Sequence, residues 1–144
     1  MKPKIEFKNI WFDNEITELK ISVCDGVSNF SNTVYISKGD IKNLIKPLIR
    51  FGEQIHGGIY DIILGEKGHE FANGVFDAKL HFYSLGKISI MTFQQSVSFE
   101  FKETWVASES KMFLTAEPSS LDNFVNELKN LESEIDSLAT LVCT

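Results

Sequence analysis

Side chains able to do acid–base, nucleophilic or metal chemistry are few in this chain, and they are scattered. The histidines are His56, His69 and His81. His56 precedes Gly57-Gly58 in a loop-like stretch, His69 stands beside Glu70 just after a turn signal, and His81 falls on the polar side of an alternating segment. A metal site needs its ligands at one point, and a general base needs a partner within hydrogen-bond reach. Spacings of 13 and 12 residues match no ligand motif, so surface and turn histidines are the plainer reading. Cys24 and Cys143 are the only thiols, and they form no C-x-x-C pair. Cys24 follows Val23 at a strand-like end, and nothing around it in sequence marks an activated thiol. Idle thiols in a reducing compartment are expected, while a bridge closing a long loop stays open at this stage. Glu100 and Glu103 flank Lys102, and Glu66 lies near Glu70. Such carboxylates are close enough for acid–base work, but on exposed strands and turns they usually serve solvation. No phosphate loop, dinucleotide fingerprint, nucleophile elbow or zinc-protease helix motif occurs. The expectation is no catalytic residue, no cofactor and no metal ligand.

Binding is the better-supported chemistry. Trp11 sits in Trp11-Phe12-Asp13-Asn14, and Trp105 follows Glu103-Thr104. Core packing is the plain reading of both, yet an exposed tryptophan among acids makes a good interface anchor. The net charge of −6 is uneven. Residues 117–144 carry Glu117, Asp122, Glu127, Glu132, Glu134 and Asp136 against Lys129 alone. Such a surface repels phosphate, which argues against nucleic acid or an anionic membrane and favours a basic protein partner. A merely solvated helix face is the alternative. The candidate partner-binding residues are therefore Glu127, Glu132, Glu134 and Asp136, with Trp11 and Trp105.

The elements that must position these residues follow from periodicity. At 144 residues, with 43% hydrophobic residues and twelve Phe, the chain suits one domain with one core. No apolar run is long enough to span a bilayer, and the start, Met1-Lys2-Pro3-Lys4-Ile5-Glu6, has no apolar signal core. A cytoplasmic location is expected. Alternation of Ile5 and Phe7, then Leu19, Ile21 and Val23, then Val34-Tyr35-Ile36 predicts three strands, with a turn at Asp25-Gly26. Ile41, Leu44, Ile45 and Leu48 recur at helical spacing behind Ser37-Lys38-Gly39-Asp40, which resembles a capping sequence. Pro47 inside that run predicts a kink or two short helices. Strand signals return from Ile59 to Ala116, with turns at Gly65-Glu66-Lys67-Gly68, Asn73-Gly74 and Ser84-Leu85-Gly86. Val97, Phe99 and Phe101 alternate with Ser98, Glu100 and Lys102.

Pro118-Ser119-Ser120 then opens a helix, with Ser119 or Ser120 as cap. Leu121, Phe124, Val125, Leu128, Leu131, Ile135 and Leu138 form one apolar stripe, predicting an acidic helix over about 119–138 packed on the sheet. Positions 128, 131, 135, 138 and 142 also fit a heptad, so a dimer seam is the minority reading. The fold class is α+β. A curled antiparallel sheet of about six to eight strands carries one short kinked helix after the first strands and a longer C-terminal helix. A monomer or weak homodimer is expected.

Val34-Tyr35-Ile36 leads into Asp40-Ile41-x-x-Leu44-x-x-x-Leu48; Gly74-Val75-Phe76 runs on to Phe82; and Met112-Phe113-Leu114-Thr115 precedes Leu121-Asp122-x-Phe124 and Glu127-Leu128. In this pattern, from Ile5 to Leu131, the chain resembles the small immunity proteins encoded beside bacterial polymorphic and contact-dependent toxins, nearest to those paired with wall-associated-protein toxins. It departs by its longer acidic C-terminus and by Pro47. The matching positions are mostly apolar and define a fold, so the resemblance carries over no functional residue by position. It implies a protein that caps or occludes a cognate toxin, often a basic nuclease. An acidic secretion chaperone or other protein-binding adaptor is the alternative reading, although such chaperones usually begin with a helix and dimerise. A small enzyme or ligand-binding domain is the third.

Overall fold

The alternation in the first third of the chain produces three strands, β1 (Lys4–Phe12), β2 (Ile16–Cys24) and β3 (Asn29–Ser37). The computed structural model describes residues 1–66, 74–98 and 105–144, with the side chains of 98 and 105–107 excepted. The two turns joining these strands are built alike. Asp13 Oδ1 accepts the N–H groups of Glu15 and Ile16, and Asp25 Oδ1 accepts those of Val27 and Ser28. An aspartate that bonds its own backbone two and three residues on closes a turn, with Gly26 supplying a positive φ in the second one.

Next come α1 (Lys42–Glu53), β4 (Ile59–Gly65), β5 (Val75–Ser84), β6 (Lys87–Ser98), β7 (Trp105–Ala116), α2 (Pro118–Leu128) and β8 (Leu138–Val142). All strand pairs are antiparallel, as expected. The single curled sheet becomes two open four-stranded sheets, ordered β3-β2-β1-β8 and β4-β5-β6-β7. Each sheet has one apolar face, and neither face can be left to water, so the two share one core with the helices. Phe7 of β1 marks the junction, edge-on to Phe76 of β5 at 5.3 Å and to Phe124 of α2 at 5.4 Å. Phe51 of α1 stacks on Phe82 of β5 at 4.9 Å. Among the described residues no helix is long and apolar enough to cross a membrane.

A buried polar staple joins the sheets. The Asn32 amide nitrogen donates to the carbonyls of Val75 and Gln95, its oxygen accepts from Gln94 Nε2, and that same nitrogen reaches the Ile21 carbonyl. Gly74 lies in the same place, where an added Cβ would run into the Gln95 carbonyl and approach Asn32. Glycine is required there by close backbone approach.

Both helices depart from expectation at their ends. α1 continues through Pro47 as one helix. Ile41 occupies its cap position and offers no side-chain acceptor, while Asp40 turns back to accept the Ser37 N–H. α2 starts at Pro118, before the expected caps Ser119 and Ser120, because proline at the first position brings the right φ and lacks an N–H that would go unpaired.

The larger correction concerns residues 129–144. The helix stops at Leu128 and does not run to 138. Ser133 Oγ donates to the Asn130 carbonyl, Ser137 Oγ to the Leu131 and Glu134 carbonyls, and Asn9 Nδ2 takes the Leu131 carbonyl as well. Side chains that satisfy carbonyls locally compete with helix continuation. Leu138–Val142 then adds to the edge of β1, burying Ala139 and Leu141 and leaving Leu138 and Val142 exposed. A strand has no heptad face, so the proposed dimer seam does not exist. Cys143 is buried on the core side next to this strand, where burial pushes its thiol up to about 12. Cys24 is buried and pairs in register with Lys4, as Val142 does, on the other face. Both thiols are free.

Candidate functional site

The site is the end of the first sheet where the β1–β2 turn, the β3–α1 turn and residues 129–137 converge. β1 carries an extra residue there. Asn9 pairs with Leu19 and Trp11 with Glu18, so Ile10 bulges. Ile5, Phe7 and Asn9 point inward, and simple alternation would send Trp11 after them. The bulge reverses the phase and leaves Trp11 46% exposed on the outer face. Glu18 lies between Trp11 and Tyr35 in one cross-strand row. Burial pushes the Tyr35 phenol up, and Glu18, which accepts its hydrogen bond, pushes it further.

Three segments are tied together around this row. The Lys38 N–H donates to the Glu15 carbonyl, and the Lys38 ammonium sits 4.4 Å from the Phe12 ring centroid while donating to the Glu132 carbonyl. The Asp136 N–H donates to the Asn9 carbonyl at 2.7 Å, and Asn9 in turn donates to Ser137. Asp136 holds a positive φ of 66°, which aspartate tolerates better than most residues. Its carboxylate faces Lys8 at 3.7 Å. Asp13 closes the β1–β2 turn, where hydrogen bonds from the Glu15 and Ile16 N–H groups hold its carboxyl below the usual range, with Lys38 adding to the effect. The outcome is an exposed acidic rim, Asp13, Glu15, Glu134 and Asp136, beside exposed Trp11, Ile16 and Ile135.

The structure therefore divides the residues expected to bind a partner. Trp11, Glu134 and Asp136 come together at this end. Glu132 is there too, but its carboxylate accepts the N–H groups of Gly39 and Ile41 at 2.9 and 3.2 Å. It caps α1 from a distant part of the chain. Glu127 accepts the Thr140 N–H at 3.0 Å and so ties α2 to β8. The picture of one acidic helix face gives way to two structural carboxylates and two at the rim. Trp105 opens β7 opposite Ser98, in the other sheet, and its side chain lies outside the described residues. Sequence reasoning missed Asp13, Glu15, Glu18 and Tyr35; the Asp13-Asn14-Glu15 turn was a legible signal, but the cross-strand row was not.

Among the described residues the other chemistry-bearing side chains do not assemble. His56 is exposed after α1, and His81 is exposed on β5 between Ile59 and Ser89. His69, Glu70, Glu100, Lys102 and Glu103 lie outside the described residues. Among the described residues no three His, Cys, Asp or Glu side chains are grouped so as to hold a metal ion. Comparison with protein-family models, with curated proteins and with solved structures finds no match to this chain.

Proposed function

We propose that this protein acts by binding another protein, as an immunity-type inhibitor that occludes a basic toxin, and that the end bearing Trp11 is its docking surface. The observation that supports this most is the bulge at Ile10, which turns a large aromatic outward among carboxylates from separate segments. Backbone irregularity that exposes an indole costs core burial, and interface anchors are where such exposure is used. The acids around it steer a basic partner and raise its association rate, and they occupy ground that phosphate would take on a nuclease.

The test is co-purification with the product of the adjacent upstream gene, and rescue of cells from that product's toxicity. Trp11→Ala should weaken the complex by about 30-fold or more, as loss of a central aromatic anchor does, while the protein's melting curve stays within the range of a surface substitution. No complex with that product and no rescue would reject the reading.

A further inference from the structure

A second surface has the opposite charge. Lys42, Lys46 and Arg50 recur every four residues on α1, so they stack along one exposed side of the helix. Among the described residues none of the three stands in an ion pair. Between this side of α1 and the turn after α2 runs a groove of about 440 Å³, floored by Ile41, Ile45 and Leu128 and rimmed by Lys38, Lys42 and Lys129. It shares Lys42, Ile45 and Lys129 with a hollow of about 630 Å³ reaching Pro47 and Arg50. Pro47 and Arg50 in turn border a third hollow, of about 320 Å³, beside Ile59 and Tyr60. The three follow the length of α1, 12 residues, or about 18 Å. The one carboxylate at the groove, Glu132, is taken up by the Gly39 and Ile41 N–H groups. From Ile41 to Pro47 the trough thus has an aliphatic floor, and Lys42, Lys46 and Arg50 beside it stand in no ion pair among the described residues.

We propose that this trough receives an acidic amphipathic segment of a partner protein, its apolar side chains over Ile45 and Leu128 and its carboxylates against Lys42, Lys46, Arg50 and Lys129. A helix laid in a groove is read by apolar anchors one turn apart, and the spacing of the three cations on α1 matches carboxylates at the same pitch. Single-stranded nucleic acid suits the trough less well. The two hollows that meet Lys42 are lined by no aromatic ring on which a base could stack, Phe51 and Tyr60 bordering only the third, and a chain of net charge −6 repels a long polyanion. A lipid surface is flat, whereas the floor is recessed between two walls.

The probe is a labelled synthetic peptide with Glu at every fourth position beside a Leu face, titrated with the full chain by fluorescence anisotropy. Its Glu→Gln counterpart, a single-stranded oligonucleotide of equal charge and vesicles rich in phosphatidylserine are the comparison arms. The acidic peptide should bind saturably and lose about tenfold in affinity on Glu→Gln replacement. Lys42→Glu with Lys46→Glu should weaken it by about tenfold or more at an unchanged melting temperature. Arg50→Gln with Lys129→Gln, on the other stretch of the rim, gives an independent variant should the first fold poorly. No saturable binding below about 1 mM, tighter binding of oligonucleotide or vesicles, or wild-type affinity in both variants overturns the proposal. Trp11→Ala should leave peptide binding unchanged, so this surface and the one bearing Trp11 stand or fall separately.

Discussion

Single carboxylates in this protein do work that their neighbours in sequence do not disclose. Glu132 and Glu134 are two residues apart and of one residue type, yet one holds two backbone N–H groups at the start of α1 and the other points to water. Replacing Glu132 by Ala should cost about 1–2 kcal/mol, the range for a lost helix cap with charge-assisted bonds, whereas Glu134→Ala should change stability by less than about 0.5 kcal/mol. Urea unfolding of the two variants gives the comparison directly. Asp25 makes a pH-dependent contribution. Hydrogen bonds from the Ser28 and Val27 N–H groups lower its folded pKa. A depressed carboxylate stabilises the fold above its unfolded pKa, near 3.9, and loses that contribution as pH falls through the lower folded value. The gap in melting temperature between the wild type and Asp25→Ala should hold steady above about pH 5 and narrow below about pH 4. A gap that widens toward low pH would show that the turn is not held by the ionised carboxylate.

At the scale of elements, the two sheets are fastened by a few polar side chains as well as by apolar packing. Asn32 satisfies two carbonyls of the second sheet and one Gln94 amide proton, all buried. A leucine in its place is of similar size but leaves those groups unpaired. Asn32→Leu should destabilise by about 2–4 kcal/mol even though it adds apolar surface. Thermal unfolding checks the magnitude, and faster amide hydrogen exchange at Val75 and Gln95 than in the rest of β5 and β6 would place the loss at the staple. The bulge in β1 acts at the same scale. One extra residue moves Trp11 from the core side to the outer face and shifts the pairing beyond it, Phe12↔Thr17, by one position.

For the molecule as a whole, the last strand closes the fold onto the first. β8 pairs along β1 from Lys8↔Leu138 to Lys4↔Val142, and the Thr144 N–H then reaches the Thr115 carbonyl of β7 at 2.8 Å. Residues 138–144 thus touch both sheets. Ending the chain after Ser137 would strip Ala139, Leu141 and Cys143 from the core and bare the edge of β1. About 2–3 kcal/mol for a buried leucine, with five strand pairings lost besides, is a large share of the about 5–15 kcal/mol that holds a domain folded. The shortened chain should give no cooperative melting transition by circular dichroism, whereas trimming a frayed helix end would leave the transition in place.

Residue order alone made the local structure legible. Period-two alternation and turn signals located β1 to β6 and the second half of β7, Met112 to Ala116, because a half-buried strand must change sides at every residue. Helical spacing located α1 and α2 for the matching reason, although it carried α2 on to 138 where the helix ends at Leu128. Tertiary structure alone decided the rest. The apolar positions Leu131, Ile135 and Leu138 continue a helical stripe as well as any helix would, and only the free edge of β1, the serine and Asn9 bonds to nearby carbonyls, and the demand of α1 for a cap turn them into a loop and a strand. Burial and pairing energies depend on partners far along the chain. The grouping of Trp11 with Glu134 and Asp136, and the trough beside Lys42, Lys46 and Arg50, exist only once those partners have met.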